Sequence, residues 1–433
     1  MASSTVSAVQ CVPSELDIFS RQKIQNAVLG NQVLAVRPLH AVGYPLSTLE
    51  FHSSGSNDYY RDLSHVYLRM KVSLRDDDGG NMIVDHGVGV VNNLLFSLFR
   101  SMEVYLNEKA VCRIDNFGYK SYIETLLNNT PAAAETHLRT SMFYLDTPDK
   151  VNVAGDENIG FKKRKELLAG GRVCEMYGRL QCGIFNQPLL LPQGLDLRLK
   201  LGFAPESFYM WVPNDVHQGR INVLEATLFI KQVAINPGVL IAHAKILSQT
   251  NAVFPYKRAG IKTFSVGAGG RTLSLNNISV GRLPSSLVFC MVPNNAYNGD
   301  ILKNPFAFVH KSCTNVSIFF NSEEYRYGPM DFHSNDSYFS YVYHSLFTGS
   351  GLKTPNLGHM ITPEMFHEGS FMIIHDGTPD SSGHVAYTSL PSAGTLRIEV
   401  TFANEIDESL TCLVYLEEDA ILEIDSARNV HIS

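Results

Sequence analysis

Residue types that could do chemistry are plentiful in this chain but poorly grouped. Its fifteen histidines are dispersed, and the densest set is His333, His344, His359, His367 and His375. No two of them stand at i, i+4 on a helix with a third ligand close by, as a zinc site requires. Their spacing suits the loops and helix of a tyrosine-rich region better than a metal cage. Adjacent carboxylates occur at Glu323-Glu324 and Glu417-Glu418, but neighbours on a strand point to opposite faces and cannot share one reacting atom. The chain contains no Gly-x-Ser-x-Gly elbow, no His-Glu-x-x-His and no Walker loop. The expectation is a protein that is not an enzyme, with no catalytic, cofactor-binding or metal residues and no cofactor.

Three stretches imitate ligand sites. Arg75-Asp76-Asp77-Asp78-Gly79-Gly80 offers oxygens for calcium, yet no Glu closes a twelve-residue loop, so a turn is expected. Gly267-Ala268-Gly269-Gly270 has the glycines of a phosphate loop but neither the Gly-Lys-Ser/Thr nor the βαβ context, so a hairpin is expected. The run Lys162, Lys163, Arg164, Lys165 lies in a polar excursion over 145–170. It has the charge of a nuclear-import signal or a phosphate patch; a basic surface loop ranks ahead of both.

Composition narrows the classes further. A net charge of −7 argues against a chain that coats nucleic acid. The aromatic residues, 24 Phe and 19 Tyr, fall mostly at inward-alternating positions with few Lys or Arg between them, which fits a core better than a base-stacking platform. Seven cysteines without close pairs or metal spacing point to reduced intracellular thiols. The first fourteen residues lack a signal-peptide pattern, and no apolar window is long enough to span a membrane. Four glycosylation sequons, at Asn128, Asn277, Asn315 and Asn335, are therefore expected to be silent. The segment 405–425 holds eight acids and no Lys or Arg, which reads as a solvated face or a surface for basic partners.

The elements that must position these residues are mainly strands. Tyr44 to Phe51 reads as the first strand, and Leu63 to Leu74 alternates cleanly on one face. Further strands are expected over 101–107, 173–181, 195–203, 221–235, 261–266, 271–278, 287–292, 315–321, 371–375, 396–402 and 410–417. A short helix is expected within Val91–Phe99, and longer ones over Tyr119–Leu127, Val239–Ser248 and Tyr338–Phe347. The domain expectation is an N-terminal arm (1–35), a first unit (36–236), a linker helix (237–252) and a second unit (253–433) with an acidic C-terminal segment. Many short strands separated by turn signals indicate β-sandwiches with Greek-key wiring.

The two units look like copies. Leu197-Arg198-Leu199-Lys200-Leu201-Gly202-Phe203-Ala204 returns as Leu396-Arg397-Ile398-Glu399-Val400-Thr401-Phe402-Ala403. Tyr119, Ser121, Tyr122, Ile123 and Leu127 match Tyr338, Ser340, Tyr341, Val342 and Leu346, and Val104–Asn107 matches Ile318–Asn321. Three pairs in one order, roughly 200–220 residues apart, are the signature of a domain built twice.

Several phrases resemble a known family. In the first half they are Asp62-Leu63-Ser64-His65-Val66-Tyr67-Leu68, Val91-Asn92-Asn93-Leu94-Leu95-Phe96-Ser97-Leu98-Phe99 and Tyr122-Ile123-Glu124-Thr125-Leu126-Leu127. In the second they are Asn298-Gly299-Asp300, Asn304-Pro305-Phe306-Ala307-Phe308 and Leu422-Glu423-Ile424-Asp425. With the doubled sandwich, they resemble the double jelly-roll, hexon-like major capsid proteins of the tectivirus–adenovirus lineage, nearest those of Polinton, adintovirus and adomavirus-like elements. The resemblance implies an all-β fold of two tandem eight-stranded jelly rolls with short helices. It implies homotrimeric, pseudo-hexagonal capsomers tiling an icosahedral shell, with penton and minor capsid proteins as further partners. It also implies a virion location after assembly in the cytoplasm or nucleus, without sequence-specific nucleic-acid binding. A domesticated host protein of the same fold and a lectin-like or carbohydrate-active sandwich stay open as alternatives.

Overall fold

Strand formation follows the period-2 pattern closely. In Tyr59–Asp76 the side chains of Val66, Leu68, Met70, Val72 and Leu74 are all buried, while Tyr67, Arg69 and Lys71 between them face the other way. The computed structural model describes residues 14–16, 18, 24–76, 79–80, 87–214, 219–332, 338–350, 358–381, 383, 390 and 392–433.

The first half supplies eight strands to two antiparallel sheets: β1 (Val28–Val36), β2 (Leu49–Ser53), β3 (Tyr59–Asp76), β4 (Phe99–Leu106), β5 (Lys109–Asp115), β6 (Val173–Arg179), β7 (Leu197–Phe203) and β8 (Gly219–Ile235). Their orders are β1-β8-β3-β6 and β2-β7-β4-β5. The second half supplies β9 (Ala252–Val266), β10 (Thr272–Arg282), β11 (Ser286–Pro293), β12 (Cys313–Phe320), β13 (Glu323–Tyr327), β14 (Met372–Asp376), β15 (Ala393–Phe402) and β16 (Leu410–Ile424). Here the orders are β9-β16-β11-β14 and β10-β15-β12-β13, with a short β17 (Val430–Ile432) beside β16. Adding eight to each label of the first half gives the second. This wiring is a jelly roll made twice, and one contiguous apolar core runs through both rolls.

The helices sit between strands: α1 (Phe117–Asn128), α2 (Ile159–Leu168), the one-turn α3 (Gly183–Asn186), α4 (Pro237–Leu247) and α5 (Ser340–Gly349). α4 joins β8 to β9. Pro237 opens it, and the Asn236 side chain accepts the Gly238 N–H at 2.9 Å.

All three repeated phrases fall at equivalent places, in β7 and β15, at the ends of β4 and β12, and at α1 and α5. The closest match is a turn. Asn107 and Asn321 take positive φ of 46° and 59° after β4 and β12. Each donates its N–H to the carbonyl of the residue before the repeated strand phrase, Asp196 at 3.1 Å and Thr395 at 2.9 Å. Each side-chain oxygen then accepts that residue's own N–H, at 2.7 and 2.9 Å.

Several expectations need correction. Residues 28–35, expected in the arm, lie in β1, paired to β8 from Val28↔Ile235 to Val36↔Leu228. Its exposed Asn31 and Gln32 break the alternation because it is an edge strand with little to bury. The first expected strand begins at Leu49 rather than Tyr44. Gly267–Gly270 does not close a hairpin: β9 and β10 belong to different sheets, so this turn carries the chain across the sandwich. The excursion over 145–170 contains α2. The acidic C-terminal segment is largely β16, hydrogen-bonded between β9 and β11. Its acids meet cations on β9, with Asp419 2.5 Å from Lys257 and Glu418 2.8 Å from Arg258. Further upstream Lys311 holds Asp407 at 2.8 Å and Glu408 at 2.7 Å.

Candidate functional site

Among the described residues no group of three or more His, Cys, Asp or Glu is placed to hold a metal ion. The described members of the histidine group pack against rings or meet a local polar partner. His359 stacks on Phe347 with centroids 4.3 Å apart, and burial pushes its pKa down to about 4. His375 is likewise pushed to about 4 by burial and meets the Tyr327 hydroxyl at 2.8 Å. His367 approaches the Glu368 carboxylate at 2.7 Å, His344 lies near Phe347, and His333 lies outside the described residues. Glu323 and Glu324 turn to different partners, Tyr325 and Ser317. The Asp76 stretch turns through a Gly79 N–H to Asp76 carbonyl bond of 2.8 Å, while Asp77 and Asp78 lie outside the described residues.

The basic run divides. Arg164, expected on a surface loop, is fully buried because α2 packs against the roll. Its guanidinium donates to Asp146 at 2.8 Å, the Tyr144 carbonyl at 2.7 Å and the Val90 carbonyl at 3.0 Å. Periodicity would have flagged it, since Phe161, Arg164 and Leu168 share one helix face with the core.

The most developed contact surface joins the two rolls. On the first roll it comprises β5, α3 and α1; on the second, the sheet β9-β16-β11 and the connection after β11. Tyr256 on β9 donates its hydroxyl to the Val111 carbonyl on β5 at 3.0 Å. Gly183 on α3 is glycine for a steric reason, since a Cβ there would lie 1.5 Å from the Lys257 carbonyl oxygen. Rings stack across the seam, with Tyr122 on Phe306 at 4.2 Å and Tyr119 on Tyr297 at 5.8 Å between centroids. A buried polar knot completes it: Lys120 pairs with Glu124 at 2.6 Å, and the Tyr415 hydroxyl lies 2.9 Å from Glu124 and 3.1 Å from Glu417. Burial alone would lower the Lys120 pKa, but the Glu124 carboxylate outweighs it and raises it. Burial raises Glu417.

Because the rolls are copies, each half of this surface recurs elsewhere on the chain. The counterpart of α1 is α5, and the counterparts of β5 and β6 are β13 and β14. These border a cleft of about 1170 Å3 lined by Tyr325, Tyr327, Tyr341, His344, His375 and Asp376. α1 is buried from Phe117 through Leu127, whereas α5 buries only Val342 and Leu346. Tyr341 is 69% exposed. The counterpart of β16, buried on both faces from Leu410 to Leu416, is β8, where Phe229 and Lys231 stay half-exposed. Around Phe229 lie Tyr67 and Tyr177, stacked at 5.1 Å, and at the edge Leu29 and Val33 are more than 60% exposed. Among the described residues, then, elements buried at the seam in one roll have counterparts that stay exposed or half-exposed in the other.

The class these features define is the double jelly roll. No family model matches the sequence. An uncharacterized protein of Caenorhabditis elegans is 20% identical over 395 residues, 88% of this chain and 92% of that protein. A chain of the Sputnik virophage has a TM-score of 0.66 at 10% identity, covering 99% of this chain and 93% of its own. A PBCV-1 virus capsid chain has a TM-score of 0.61 at 10% identity, covering 96% and 99%. The faustovirus major capsid protein has a TM-score of 0.54 at 9% identity, covering 94% and 92%. The fold along nearly the whole chain is that of the double jelly-roll capsid proteins. No helix among the described residues is long and apolar enough to cross a membrane.

Proposed function

We propose that this chain is the major capsid subunit of a double-stranded DNA virus or virus-like mobile element, and that it works by self-association. The cleft of the second roll takes the outer face of the first-roll sheet of a neighbouring copy, repeating the seam inside the chain. Three chains then make a ring of six similar rolls, a pseudo-hexagonal capsomer suited to tiling a shell. The observation that carries this reading is the burial contrast between α1 and α5, two helices at one position in two copies of one fold. The PBCV-1 and faustovirus neighbours, named as capsid proteins, support it. The nematode relative, of nearly the same length, supports an element resident in animal genomes. Penton and minor capsid proteins would be further partners.

Light scattering of the purified protein provides the test. A particle of about 144 kDa, three times the 48.1 kDa chain, with rings or shells under negative stain, is expected. Trimers that never build shells would favour a domesticated binding protein. A monomer that binds glycans would favour the lectin-like reading and overturn this one.

A further inference from the structure

We propose that Cys112 and Cys182 are a disulfide-forming pair that, when oxidised by peroxide, staples the two sheets of the first roll beneath the inter-roll seam. The inference goes beyond the shell reading and does not depend on it. The two sulfurs lie 2.8 Å apart, both buried and both free thiols. Cys112 is on β5, an edge strand of one sheet; Cys182 follows β6, an edge strand of the other, and caps α3. No backbone ladder joins these two edges. A bond here would close the open side of the sandwich across 70 residues of chain.

The other described cysteines have no such arrangement. Cys174 touches the Met142 sulfur, while Cys290 and Cys313 face backbone carbonyls. Burial pushes the thiols of Cys290, Cys313 and Cys412 up, the behaviour of inert packing residues. Beside the pair, however, stands the buried Lys120 ammonium, which also reaches the Gln181 carbonyl at 3.2 Å. Burial pulls the Cys182 pKa up, yet the Cys112 thiol and the Lys120 charge outweigh it and bring it down. Cys112 is pushed up by its contact with Cys182 and by burial. One sulfur is therefore suited to act as the thiolate and the other to resolve.

The oxidant is hydrogen peroxide, which is small enough to enter when the seam loosens. The Cys182 thiolate attacks one peroxide oxygen, the O–O bond breaks, and the departing hydroxide takes a proton to leave as water. Cys182 is then a sulfenic acid. The Cys112 sulfur attacks that sulfur, the S–O bond breaks, and the released hydroxide takes the Cys112 proton. Two thiols and one peroxide thus give one disulfide and two waters.

The experiment treats the reduced full-length protein with hydrogen peroxide at neutral pH, followed by intact mass, thiol titration and peptide mapping without reductant. The expected result is loss of two thiols and of about 2 Da, with a Cys112–Cys182 peptide in the map. Cys112→Ser should instead halt at a Cys182 sulfenic acid trapped by dimedone. Should that variant not fold, the wild-type map decides alone. A different pairing, an unchanged thiol count, or a gain of about 32 Da as a sulfinic acid on one cysteine overturns the proposal.

Discussion

Replacing Arg164 by Met separates a buried structural cation from a basic surface run. Arg164 is fully buried on α2, and its three bonds go to Asp146, Tyr144 and Val90. The Asp146 side chain is only 5% exposed, and its remaining partner is the Asn304 amide at 3.5 Å. Removing the guanidinium strands a buried carboxylate and two carbonyl oxygens. Breaking such a pair costs about 3–5 kcal/mol, against a net stability of about 5–15 kcal/mol. Arg164→Met together with Asp146→Leu should recover much of that loss, because no charge is left buried. Lys162→Ala and Lys163→Ala should stay within about 0.5 kcal/mol of the parent. The reporter is built in: Trp211, the single tryptophan, is fully buried and packs edge-on against Phe161 of α2 at 5.0 Å. Urea unfolding followed by its fluorescence measures each variant. An Arg164→Met loss below about 1 kcal/mol, or one no larger than that of Lys162→Ala, would refute the buried-clamp account.

Other predictions concern pH, the doubled turn and assembly. His359 and His375 have folded pKa values near 4 against 6.5 for an ordinary histidine. Between those values the unfolded chain binds more protons, so their contribution is intact above pH 6.5 and lost as pH falls toward 4. A variant carrying His359→Phe and His375→Phe should show a shallower loss of urea stability across that window, by roughly 1–3 kcal/mol after allowing for partial solvent access; a parallel slope would contradict it. Asn321→Ala removes both the tolerance for positive φ and the bond to Thr395, and should cost about 1–2 kcal/mol by the same assay. Gly394→Ala should be at least as damaging, since its Cβ would lie 2.1 Å from the Asn321 side-chain oxygen. Tyr341→Asp, at a 69% exposed position, should leave monomer melting unchanged while shifting the light-scattering mass down; an unaltered particle would remove α5 from the interface.

Much of the fold was legible because both rolls use clean alternation on their central strands. The repeated phrase at Leu197 and Leu396 landed on matching strands, since a buried strand between two neighbours leaves little freedom to its inward residues. Edges were harder. β1 escaped notice because its ladder to β8 is made by backbone, and its side chains are mostly solvated. The acids of 405–425 misled because composition does not register which strand lies alongside; Lys257 and Arg258 lie some 160 residues away in sequence. The seam was illegible for the same reason. Gly183, Tyr415 and Glu124 are unremarkable until the rolls are placed together, and no local pattern reports a contact between Tyr415 and Glu124.

Under the proposed function, the chemical difference between the seam inside the chain and its exposed counterparts follows from when each would be covered. The seam inside the chain forms under tethering, at a high effective concentration, and is never displayed by the folded protein. It can therefore bury aliphatic residues such as Ile123, Leu126 and Leu127 on α1, with its few charges paired in the Lys120–Glu124 knot. A surface that awaits a neighbouring copy must stay soluble until that copy arrives, and an uninterrupted aliphatic patch there would invite indiscriminate association. α5 and β13 accordingly present Tyr341, His344, Tyr325, Glu323 and Arg326, amphipathic rings and charges of the kind found at separable interfaces. The outer face around β8 carries Tyr67, Tyr177 and Phe229 among Arg69, Lys71 and Glu225, again aromatic bodies in a charged frame. A head-to-tail surface of this kind closes into a ring only if its rotation divides the circle and otherwise winds into a filament. Under the proposed function the seam is repeated between chains, and light scattering separates the two outcomes: a closed ring gives one discrete mass, a filament a mass that grows with concentration.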